Sequence, residues 1–156
     1  MQADAPMGGA LSLAPPVSAH FVIQATTLDV REGLRSLMSC ALVQDLPEDC
    51  LGTIELVLAE ALNNVVEHAY ARYPGQIVVD VQRGPDQLRF HITDTGLPMP
   101  SAEPPHGHLA EVGTIEDLPE GGFGWFLIRT LAQDLTYRRE GEHNLLTFGI
   151  CVNNEG

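Results

Sequence analysis

Glu60 and Asn64 stand four residues apart in the run EALNNVVEHAY (residues 60–70). On a helix their side chains leave one face, within reach of a shared ligand. A carboxamide oxygen is a neutral ligand that can complete a Mg²⁺ shell built mostly of phosphate oxygens and water. A neighbouring carboxylate can take the proton of an attacking hydroxyl or water. Taken alone, the pair suits a solvated helix face at least as well, so two further motifs matter. Asp94-Thr95-Gly96 closes a β-prone run. There a carboxylate can accept from the exocyclic amine of adenine, and a glycine lets a flat ring approach the backbone. Gly121-Gly122-Phe123-Gly124 opens a helical run, where bare N–H groups and the helix dipole favour an anion such as a phosphate. Each of these alone is also ordinary turn chemistry. Together, in this order, they are compatible with one nucleotide site.

Composition narrows the ways such a site can work. The 156-residue chain has a formal net charge of -13 at pH 7, and all 8 basic residues are arginine. So acidic a field repels phosphate backbones and anionic membranes, which argues against nucleic-acid and membrane partners. The lack of lysine excludes a Walker A loop, a Schiff-base enzyme and an ordinary protein-kinase site, each of which needs one. Phosphates would have to be held by Mg²⁺, backbone N–H groups and arginines instead. Cys40, Cys50 and Cys151 are spread along the chain with no CxxC pair, which reads as idle thiols in a reducing compartment. Residues 1–18, rich in Ala, Gly and Pro without a basic start, read as a disordered lead and not as a signal peptide. No apolar run approaches membrane-spanning length. A cytoplasmic location is expected.

The elements that must position these motifs follow from periodicity. His20 to Ala25 reads as an edge strand. Thr27 opens an amphipathic helix, with Leu28, Val30, Leu34, Leu37, Met38, Ala41 and Leu42 at helical spacing, that stops before Pro47. A second helix is expected from Pro47 to about Ala71, with Glu48 and Asp49 at its positive end. Ile54, Leu58, Ala61, Leu62, Val65 and Ala69 form its apolar face. Glu60, Asn64 and Glu67 fall roughly opposite, with His68 near the margin. Gln76 to Arg83 and Gln87 to Thr93 form a hairpin through Gly84-Pro85-Asp86. Asp94 to Glu120 lacks periodicity and reads as a functional loop or lid. A helix over residues 121–132 and a hairpin over residues 134–152 complete the chain. This order predicts an α+β fold, a two-layer sandwich with helices on one face of a largely antiparallel sheet. Residues 19–153 are expected to form a single domain.

With these motifs in place the sequence resembles the GHKL (Bergerat-fold) ATP-binding domains, and within them the anti-sigma-factor serine/threonine kinases of bacterial partner-switching systems. EALNNVVEHAY resembles the family's N box, and DTGLP (residues 94–98) its first glycine box. PEGGFGWFLIRTL (residues 119–131) resembles the second, and NLLTF (residues 144–148) the last strand. The resemblance covers nearly everything after His20. It implies a Bergerat fold with ATP and Mg²⁺ as cofactors, Asn64 as the Mg²⁺ ligand and Glu60 as the general base toward a protein serine. It further implies that Asp94 holds the adenine amine beside Gly96, that Gly122 and Gly124 pack against phosphates, and that Thr147 lies near the adenine. The implied partners are a STAS-domain antagonist, phosphorylated on serine, and a sigma factor or other regulatory protein. A homodimer is implied as well.

Three features depart from the family pattern. Pro98 stands where a third glycine is common, and Trp125 where a smaller aliphatic residue is usual. No lysine or arginine lies between Asp94 and Arg129. That leaves Arg72 and Arg129 as the nearest candidates for a phosphate. It also motivates an alternative expectation, a nucleotide-sensing interaction module with little or no kinase activity.

Overall fold

Alternation of apolar and polar residues along the strands builds a sheet with one covered and one open face. The computed structural model describes residues 17–99 and 122–152. In chain order they form β1 (Ser18–Gln24), α1 (Thr27–Met38), α2 (Glu48–Asn64), β2 (Gln76–Arg83), β3 (Gln87–Asp94), α3 (Gly122–Leu131), β4 (Gln133–Glu140) and β5 (His143–Cys151). The strands lie in the order β1-β2-β3-β5-β4, and every pairing is antiparallel. This is the α+β sandwich read from the sequence, with β1 at an edge as expected. The strand starts at Ser18, two residues before the expected His20.

The covered face carries Ile23, Ile77, Val79, Val81, Leu88, Phe90, Ile92, Leu146, Phe148 and Ile150, all buried. Phe90 and Phe148 face each other across β3 and β5, their ring centroids 5.3 Å apart. Against this face the helices bury Val30, Leu34, Leu37, Ile54, Val57, Leu58, Ala61, Leu62 and Ile128. The opposite face carries a row of polar residues in register, His20, Asp80, His91, Thr147 and Thr136. Each is exposed or partly exposed.

The first helix is shorter than its pattern suggested. Thr26 caps it, Oγ1 accepting the Asp29 N–H at 3.0 Å, which satisfies one of the bare N–H groups of the first turn. The helix ends at Met38, where Ser39 Oγ donates to the Arg35 carbonyl at 2.9 Å. Tighter turns follow, with the N–H groups of Cys40, Val43 and Leu46 bonded three residues back. These turns bury Leu42, Val43 and Leu46. Leu28 and Ala41, expected on the apolar face, are exposed.

The second helix runs regularly to Asn64 with its expected apolar face buried, and then widens. Over Val65–Ala69 the winding is that of a π-helix, the Tyr70 N–H reaching the Val65 carbonyl at 3.1 Å. Such bulges are rare and concentrate at functional sites. The β2–β3 and β4–β5 hairpins form as read, the latter turning at Gly141, whose φ of 61° suits a residue without a Cβ. The expected lid falls largely on residues 100–121, outside the described residues.

Candidate functional site

The turn after β3 is held by Tyr70 and by side chains of β4 and β5. Asp94 is buried at the strand end. Its Oδ1 accepts the Gly96 N–H at 2.8 Å and Asn144 Nδ2 at 2.7 Å, and Oδ2 makes no hydrogen bond among the described residues. Burial raises the Asp94 pKa from its ordinary value. The Asn144 and Gly96 hydrogen bonds, and the Arg139 and His143 charges, pull the other way. Tyr70 Oη accepts the Thr95 N–H at 2.9 Å while donating to the Gln76 carbonyl at 2.7 Å. The Leu97 N–H donates to the Ala69 carbonyl at 2.7 Å. Arg139 Nη1 donates to the Gly96 carbonyl at 2.8 Å, and Asn144 Nδ2 to the Leu97 carbonyl at 3.0 Å. Tyr137 Oη takes the Met99 N–H at 3.0 Å. A turn tied at successive residues keeps the free Asp94 oxygen in place before a ligand arrives.

The helix α2 with its π turn joins this turn to the α3 N-terminus. At its C-terminal end Gly96 packs so closely on Ala69 that a Cβ on Gly96 would strike the Ala69 carbonyl oxygen. Nearer its middle, a Cβ on Gly124 would strike Oε1 of Glu60, so the half-buried Glu60 carboxylate lies against the first turn of α3. Gly122 is the first residue of that helix. Glu60 and Gly124 are therefore brought together, as are the Asp94–Gly96 turn and the end of the N-box run.

Asn64 lies on α2 between these two contacts. It is only 8% exposed, and Nδ2 is buried without a hydrogen-bond partner among the described residues. A buried amide left unpaired costs about 1–3 kcal/mol, which makes it a candidate ligand contact. A half-turn of the amide exchanges oxygen for nitrogen, so the same position can present an oxygen to a cation. The π winding begins at the next residue, and it separates the buried Asn64 from Glu67 and His68, which are exposed. Among the described residues no group of three or more His, Cys, Asp or Glu side chains could hold a metal. A cation at Asn64 would take most of its ligands from a bound molecule and water. A neutral amide, a carboxylate with a free oxygen and a glycine-rich helix start fit such a ligand when it carries phosphates.

Thr147 does not belong to this site. It pairs with His91 on β3, whereas Asp94 pairs with Asn144. Side chains three residues apart on a strand point to opposite faces, so Thr147 sits on the open face, its Oγ1 hydrogen-bonded to Thr136 Oγ1 at 2.5 Å. Asn144 is the β5 side chain that stands beside Asp94, whereas the resemblance implied only that Thr147 lies near the adenine. A cleft of 590 Å³ on the open face, lined by His20, Asp80, His91 and Thr93 among others, includes none of Glu60, Asn64, Asp94, Gly96, Gly122, Gly124 and Thr147. Sequence reasoning also missed Tyr70, Tyr137 and Arg139. Asn144 and Tyr70 lay inside the quoted motifs, but only the strand register and the π turn show what they touch. Arg72 is exposed and Arg129 half-buried. Trp125 is buried, packing α3 into the core.

Comparison with known proteins agrees with this fold. Residues 23–150 match the family described as histidine kinase-like ATPase domain. The chain is similar to the serine/threonine-protein kinase BtrW of Bordetella bronchiseptica, 33% identical over 99 residues, 61% of this chain and 66% of that protein. It is also similar to the serine-protein kinase RsbW of Bacillus mycoides, 29% identical over 89 residues, and of Bacillus cereus (strain B4264), 30% identical over 89 residues, covering 56% of each chain. The matches thus span little more than half to two thirds of these relatives. Among the described residues no helix is long and apolar enough to cross a membrane.

Proposed function

Since the chain belongs to the histidine kinase-like ATPase domain family, we propose that it binds Mg²⁺-ATP and phosphorylates a serine of a protein partner. The observation that carries this reading is the convergence on one helix. Asn64 presents an orphaned buried amide between Glu60, packed on Gly124, and Ala69, packed on Gly96. Similarity to proteins named serine kinases supports the reaction class.

In this reading Asp94 Oδ2 accepts from the adenine amine, and Gly96 leaves the base room at the backbone. Asn64 turns its amide oxygen to the cation. Gly122 and Gly124 leave the first turn of α3 open to the phosphates. Bound Mg²⁺-ATP supplies the transferable γ-phosphoryl group. Glu60 takes the proton of the partner's seryl hydroxyl as its oxygen bonds to the γ-phosphorus and ADP leaves. The resemblance to anti-sigma-factor kinases makes a STAS-domain antagonist the proposed substrate, and a sigma factor or comparable regulator the protein released or captured in response. A second reading, a nucleotide-sensing module without useful transfer, draws on the absence of any lysine or arginine between Asp94 and Arg129.

Incubation with γ-labelled ATP and the cognate STAS protein separates the two. The wild type should label the STAS protein. Glu60→Gln should lower transfer by about 10²–10⁴-fold with ATP affinity little changed. Tight ATP binding without labelling refutes the kinase and leaves the binding module. No ATP binding at all refutes both.

A further inference from the structure

Asn144 has no role in the motif reading, yet five polar groups converge on it. Its Oδ1 accepts from Tyr137 Oη at 2.5 Å and from Arg139 Nη1 at 3.1 Å. Its Nδ2 donates to Asp94 Oδ1 at 2.7 Å, to the Leu97 carbonyl at 3.0 Å and to the Gly96 carbonyl at 3.3 Å. A guanidinium can only donate. Arg139 therefore dictates which end of the amide is oxygen, and the nitrogen must face Asp94. The residue is 4% exposed, so water cannot readily take over these bonds.

We infer that Asn144 is a positioning residue that engages Oδ1 of Asp94 and so leaves Oδ2 as a bare acceptor, selecting a purine with a 6-amino group over one with a 6-carbonyl. This rests on the adenine reading of the site. An ionised carboxylate can only accept from the ligand. Once protonated it carries a donor, which suits a carbonyl. Asn144 opposes protonation directly, since its hydrogen bond lowers the Asp94 pKa while burial raises it. Without the amide, burial acts with less opposition. Asp94 then holds its proton to a higher pH, and discrimination against a 6-oxo base weakens.

The test is equilibrium binding of ATP and of inosine triphosphate, in which a 6-carbonyl and an N1–H replace the 6-amino group and the bare N1 of ATP, between pH 5 and pH 8. The wild type should prefer ATP, and its ATP affinity should fall on acidification. Asn144→Leu should move the midpoint of that fall to higher pH, and should reduce the ATP-to-inosine ratio by about tenfold at neutral pH. A purely structural role would lower the melting temperature and leave midpoint and ratio alone. That result, in a folded Asn144→Leu protein, overturns the inference. If Asn144→Leu does not fold, Arg139→Ala frees the amide to turn from a solvent-exposed position. It should move both readouts the same way by less, and unchanged values overturn the inference equally. A wild type that binds both nucleotides alike refutes the adenine reading itself.

Discussion

Gly96→Ala and Gly124→Ala add the same methyl group to two glycine motifs and should have opposite consequences. At Gly96 the new Cβ would meet the Ala69 carbonyl oxygen, the carbonyl carbon at 2.6 Å and Ala69 Cβ at 2.8 Å. These atoms belong to the π turn and cannot swing aside. Overpacking of this kind costs about 1–3 kcal/mol. If the turn retreats, the 2.7 Å bond from Leu97 to Ala69 is broken at a further cost of about 1–3 kcal/mol. A total of about 2–6 kcal/mol corresponds to a loss of roughly 4–24 °C in melting temperature for a chain of this size. At Gly124 the obstacle is Oε1 of Glu60, the far end of a flexible side chain. Alanine is favoured over glycine in a helix by about 1 kcal/mol, which offsets the displacement. Gly124→Ala should melt within a few degrees of the wild type yet transfer phosphate poorly, because the Glu60 carboxylate has moved. Thermal unfolding, ATP binding and labelling of the partner, measured on both variants, form the assay. Equal melting temperatures for the two variants would refute the reasoning, since it depends on which atom each methyl meets.

The remaining predictions concern residues whose roles the sheet and the π turn decide. Thr147→Val should leave ATP affinity within about twofold of the wild type, since the side chain lies on the open face with Thr136; a tenfold loss in a binding titration would return it to the site. Tyr70→Phe removes the bonds to Thr95 and Gln76, which should lower stability by about 1–2 kcal/mol. It should also weaken ATP binding by loosening the Asp94 turn. Calorimetry and binding on one preparation check both effects, and unchanged affinity would show that the turn holds without Tyr70.

Much of this protein follows from local order along the chain. Strand alternation from Gln76 to Asp94 and the spacing from Ile54 to Ala69 fix the element order and the covered face, because side-chain direction follows directly from backbone period. The motif residues Glu60, Asn64, Asp94, Gly96 and Gly124 are legible for the same reason, being short runs on or beside single elements. Where the reading failed, the cause was a departure from regular winding or a relation between distant segments. The tight turns after Met38 end the helix short of Ala41 and Leu42, which the apolar spacing had placed in it, and bury Leu42, Val43 and Leu46. Asn64, the last residue before the π turn, is buried and Glu67 within it is exposed, although a regular helix placed the two on one side.

Pairing across the sheet decided the rest. Asn144 and Thr147 lie three residues apart in one strand, and alternation alone says only that they face opposite ways. Which of them meets Asp94 depends on the register of β5 against β3, set by the packing of Phe90, Phe148 and their neighbours. The sequence by itself determined which residue types are available for a nucleotide and that no lysine is among them. The tertiary structure decided that Asn144, held by Arg139 and Tyr137, is the side chain that meets the aspartate, because a one-residue slip of a strand reverses every side chain on it.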